Sequence, residues 1–122
     1  MKIEEIDLAD SKVIMKKKDI KNKELVFFFN YVFNIPNKEI VDNVEIVFFD
    51  WTSFNQSKFV SYDNFESYKE VKINIDEEFE TFSLIQEIIF GKEKITLNGY
   101  SKESSTWLVY EFNNVKTKVV VM

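Results

Sequence analysis

A chain of 122 residues with 45% apolar and 16% aromatic side chains fits one domain with a self-sufficient core. Its net charge of −5 comes from 21 acids against 16 cations, and every cation is a lysine, because arginine, histidine and cysteine are absent. Those absences exclude a Ser–His relay, a thiolate nucleophile or soft-metal ligand, and arginine forks for phosphate or base readout.

The first ten residues, MKIEEIDLAD, carry four acids and no apolar run, so no secretory leader is expected. No apolar run approaches the roughly 20 residues that a membrane-spanning helix needs. A cytoplasmic bacterial protein is therefore expected, in one β-rich domain over residues 1–122. In chain order, Val13 to Lys18 reads as a first strand, with Lys16 and Lys18 on one face and Lys17 on the other. A turn over Ile20–Glu24 leads to Leu25–Phe33, which is apolar on both faces and therefore expected to lie centrally. Ile35-Pro36-Asn37-Lys38 breaks that strand, and Val44–Trp51 forms the next.

Residues 52–64, rich in Ser, Asn and Gln, read as a loop, and Phe65–Tyr68 fits either loop or strand. Val71, Ile73 and Ile75 alternate with Lys72 and Asn74 as a half-exposed strand. Residues 77–90 are the one place for a helix, since Phe82, Ile85, Ile88 and Ile89 partly share a helical face. The pairs Leu84-Ile85 and Ile88-Ile89 favour a strand, with at most a helical turn near 77–84. Four strands should then form a meander through Ile88–Phe90, Ile95–Leu97, Trp107–Phe112 and Val115–Val121, with a turn over Gly99–Ser105. The expected fold is mainly β: a single antiparallel sheet, sandwich or half-barrel with at most one short helix. Phe27, Phe29, Phe48, Leu97, Trp107 and Phe112 are expected among its most buried side chains.

Charge is unevenly spread. Residues 11–23 hold six lysines against Asp19, a net +5, and residues 61–90 hold eight acids against Lys69 and Lys72, a net −6. Carboxylates are the only catalytic candidates, but a solvated run such as Asp76–Glu80 lacks the desolvation that a general acid needs. The same run lacks the glycine and alternating Asp/Asn of a calcium loop, so neither metal nor cofactor is expected. The acidic total argues against nucleic acid as partner. The acids Asp63, Glu66, Glu70, Asp76, Glu77, Glu78 and Glu80 are the candidate partner-binding residues, exposed and facing a basic protein.

Leu97, Gly99, Tyr100, Trp107, Tyr110 and Phe112 fit a pattern of leucine, any residue, glycine and an aromatic, followed by tryptophan, two residues, an aromatic, any residue and phenylalanine. In this the last third of the chain resembles small bacterial immunity proteins of contact-dependent inhibition and other polymorphic toxin systems. The resemblance implies a non-enzymatic, stoichiometric antitoxin that neutralises a cognate toxin, expected to be a basic nuclease. Two other functions stay open: a phage-encoded inhibitor of a host defence nuclease, and a small β-barrel that binds an apolar ligand.

Overall fold

The computed structural model describes residues 1–8, 11–62 and 67–122. Among the described residues, ten strands follow a single 3-10 turn at Ile3–Glu5. They are β1 (Ile6–Asp7), β2 (Val13–Asp19), β3 (Glu24–Asn34), β4 (Glu39–Phe49) and β5 (Ser53–Tyr62), then β6 (Ser67–Ile73), β7 (Phe82–Gly91), β8 (Lys94–Ser101), β9 (Trp107–Asn113) and β10 (Lys116–Val121). All pairings are antiparallel. No helix among the described residues is long and apolar enough to cross a membrane.

Two five-stranded sheets pack face to face. In the first, β4 lies between β3 and β10, while β2 and β1 share the other edge of β3. The second runs β6-β5-β9-β8-β7. A bridge between Lys12 and Leu84 joins the sheets along one side, so the first sheet curls toward the second as a half-barrel.

Period-two alternation decides what is buried. The inner face of the first sheet presents Leu25, Phe27 and Phe29 from β3 and Val44, Ile46 and Phe48 from β4, all buried. The second sheet answers with Phe54, Leu97, Leu108, Tyr110 and Phe112. Phe48 stacks on Phe112 across the interface at 4.9 Å between ring centroids, and Phe27 meets Tyr110 at 6.2 Å. Trp51, just past β4, closes one end of this layer against Phe54 and Phe112. Aromatic rings thus fill the interior of the sandwich.

Several expectations are corrected. Residues 53–62 are a strand, not a loop. Phe54 and Gln56 point inward while Asn55, Ser57 and Phe59 point outward, and pairing with both β6 and β9 overrides the poor strand propensity of Ser and Asn. The turn expected from Gly99 starts later, because β8 continues to Ser101. The C-terminal meander holds for β7, β8 and β9, but β10 leaves it and pairs with β4 in the other sheet. Trp107 is only half-buried: it shares β9 with Leu108, Tyr110 and Phe112 but points to the opposite face. In β2 a bulge between Met15 and Lys17 breaks the alternation. Lys16 lies over the Phe28 ring on the outer face and Lys18 over Phe79 at the end of the core, so these two lysines do not share a face.

Candidate functional site

The predicted acids scatter. Asp63 and Glu66 lie outside the described residues. Glu70 is exposed on the outer face of β6, directly opposite Phe59 of β5. Asp76, Glu77 and Glu78 come together in an exposed turn, shaped by Asn74: its carbonyl accepts the N–H groups of Glu77 and Glu78, and its side-chain oxygen accepts that of Asp76. Glu78 also pairs with Lys58 at 2.8 Å.

Glu80 corrects the expectation of an exposed acid, since only 2% of its surface is accessible. One carboxylate oxygen accepts hydrogen bonds from Ser101 and Ser104, each 2.6 Å, and the other accepts from the Lys58 ammonium at 2.7 Å. Its backbone N–H donates to Gln56 and its carbonyl accepts from the Tyr110 hydroxyl. Burial pushes the carboxyl pKa up, but the bonds from Lys58, Ser101 and Ser104 outweigh it, and the group sits below its ordinary value. The Lys58 ammonium is held above its ordinary value by its bonds to Glu78 and then Glu80. Burial drives the Tyr110 hydroxyl well above the ordinary range, with the charges of Glu103 and Glu80 adding to the effect. Each of these groups is therefore locked in its resting ionic form by its neighbours. The cluster is a structural clamp: through Ser101 and Ser104 it fixes the β8–β9 turn, which Glu103 also ties to Thr81 through the Thr81 N–H and hydroxyl.

That turn forms one wall of a groove of about 460 Å³ on the outer face of the second sheet. The groove is lined by Phe59, Tyr68, Tyr100 and Trp107 together with Ser61, Ser105 and Thr106. Strand register explains the grouping. Tyr100 pairs with Trp107, Trp107 with Phe59, and Phe59 with Glu70, so these four form one row across β8, β9, β5 and β6. Tyr100 and Trp107 meet edge to face at 5.2 Å, the geometry their ring quadrupoles favour. Tyr68 is 69% exposed and Tyr100 45%. These aromatics lie far apart in sequence, and only the pairing register brings them together. The one signal available in the sequence was the alternation that puts Trp107 on the strand face opposite to Tyr110 and Phe112.

Three of the six lysines in the basic segment are engaged within the molecule. Lys16 pairs with Glu45 at 3.6 Å and Lys17 with Glu24 at 3.1 Å, while Lys18 caps the Phe79 ring at 4.4 Å, beside the acidic turn. Comparison of the chain with protein-family models, curated proteins and solved structures finds no match.

Proposed function

We propose that this is a stoichiometric binding protein of the immunity type: it docks onto a basic bacterial toxin in the cytoplasm, a nuclease, and blocks it without turnover or cofactor. The observation that carries this reading is the outward-facing row of Tyr100, Trp107 and Phe59 ending in the Glu70 carboxylate. Tyrosine and tryptophan held on rigid strands provide large contact areas with little side-chain entropy to lose, which is why they dominate the energetics of protein interfaces. The acids Glu70, Asp76 and Glu77 add the sign of charge that speeds encounter with a cationic partner. The resemblance of the Leu97–Phe112 pattern to immunity proteins gives the partner its class.

The test is to mix the protein with the product of the gene next to its own, assayed for toxicity, and measure stoichiometry by calorimetry together with inhibition. A one-to-one complex that silences the toxin is expected, weakened at least about tenfold by Trp107→Ala. A toxin that stays active at saturating protein overturns the reading. A second reading has one observation in its favour: 460 Å³ falls within the range of small-ligand sites. An apolar ligand would then sit in the outer groove, since aromatic rings occupy the space between the sheets.

A further inference from the structure

The groove on the outer face of the second sheet has a lining and a neighbour that together define the chemistry of its occupant. Its walls are four aromatic rings and three hydroxyl side chains, with no charged group among them. Directly beyond Phe59 in the row stands Glu70, whose exposed carboxylate has no hydrogen-bond or ion-pair partner among the described residues. Neighbouring strands are about 4.8 Å apart, so the carboxylate-bearing position lies about 10 Å from that of Trp107, with Phe59 between them.

We infer that this groove is a socket for one arginine side chain of a protein partner, with the aliphatic stem and guanidinium plane on Trp107 and Phe59 and the charge paired with Glu70. The inference rests on the reading that the protein docks onto a basic protein. Three arguments select this occupant. An anionic ligand would meet Glu70 and a chain of net charge −5. A neutral ligand would use the rings and leave the carboxylate unused. A cation uses both, because aromatic faces attract positive charge and the carboxylate neutralises it. The chain already makes this contact twice internally, with Lys16 at 4.9 Å over Phe28 and Lys18 at 4.4 Å over Phe79. Arginine fits an elongated aromatic row better than lysine, since its planar guanidinium stacks and its hydration is weaker.

The test uses Nα-acetyl-arginine amide as probe, followed through the two tryptophan indole N–H signals in nuclear magnetic resonance spectra. Trp107 lines the groove, whereas Trp51 is buried in the core and serves as the internal control. Expected is a saturable movement of the Trp107 signal at millimolar probe with Trp51 unmoved. Nα-acetyl-citrulline amide, the uncharged analogue, should bind about fivefold more weakly. Glu70→Gln, exposed and conservative, should weaken the arginine probe about threefold and leave the citrulline probe unchanged. Citrulline amide or a methyl glucoside moving Trp107 as strongly as arginine would overturn the socket, as would no movement with any probe. The two readings fail separately. A toxin complex weakened by Trp107→Ala but unaffected by Glu70→Gln overturns the socket and leaves docking intact. Arginine binding without any toxin complex overturns the toxin and leaves the socket.

Discussion

Replacing Glu80 by glutamine keeps the shape of its contacts with Ser101 and Ser104 but removes the charge that half-buried Lys58 faces. Because the folded-state carboxyl sits below its ordinary value of 4.5, its ionisation adds stability that is complete above that value and is lost as pH falls through the lower folded value. Wild type should therefore lose melting temperature on acidification below about pH 4.5, and Glu80→Gln should lose less over the same interval while starting lower by about 1–3 kcal/mol at neutral pH. Equal acid sensitivity in the two proteins would show that the clamp contributes nothing. Gly99 is a second residue with a single reason for its identity. A Cβ there would stand 2.0 Å from the Leu84 carbonyl oxygen and 2.9 Å from the Ile85 Cα, both backbone atoms of β7. Gly99→Ala should force β7 from β8 and cost about 2–4 kcal/mol by chemical denaturation. The motif reading picked out this glycine, but its role in a close strand approach was not legible, because the partner strand approaches from 14 residues away. The turns show the opposite economy. Neither glycine has a positive φ, yet Lys38 and Glu93 adopt φ of 52° and 56°. Left-handed geometry disfavours a Cβ, so Lys38→Gly or Glu93→Gly should raise stability by about 0.5–1 kcal/mol.

Among the strands, β9 separates two kinds of aromatic on one element. Phe112→Ala empties a site between Phe48, Trp51 and Phe54 and should cost about 3–5 kcal/mol. Trp107→Ala removes a half-exposed ring and should cost less than about 1.5 kcal/mol, so comparing the two denaturation midpoints tests which face looks outward. The alternation along β9 was legible in the sequence, since Trp107, Val109 and Glu111 stand opposite Leu108, Tyr110 and Phe112. Which of those faces meets the core was not, because that depends on the sheet across the interface. Strand β5 was missed for a related reason. Its Ser, Asn and Gln side chains carry loop propensity, and a central position between β6 and β9 compensates with hydrogen bonds on both edges. For β10 the strand itself was legible, whereas its partner β4, some 70 residues earlier, was not.

At the scale of the whole molecule, the opposed charged segments were visible in the sequence, but their partial neutralisation by folding was not. Lys58 faces Glu78 and Glu80, and Lys18 lies over Phe79. Reversing Glu80 would place two cations side by side out of water, so charge reversal as a probe of docking belongs at Glu70, Asp76 and Glu77, which are exposed. Glu70→Lys/Asp76→Lys/Glu77→Lys should leave the melting temperature within a few degrees of wild type. It should slow association with a basic partner about tenfold at low salt, a difference that shrinks as ionic strength rises. Rates independent of salt in both proteins would mean that the acids take no part in encounter.

The pairing of β5 with β9 carries a kinetic consequence. Even its nearest pair, Phe59 and Trp107, lies 48 residues apart, so the centre of the second sheet cannot zip until that stretch has been looped back, and β10 must then cross to the other sheet before β4 gains its second neighbour. Closing such loops draws on chain entropy before native contacts return it, and topologies of this kind fold in milliseconds to seconds. Until that closure the hairpin of β3 and β4 has its strongly apolar strands uncovered, which makes the interval before β9 docks the one in which newly made chains are most prone to clump.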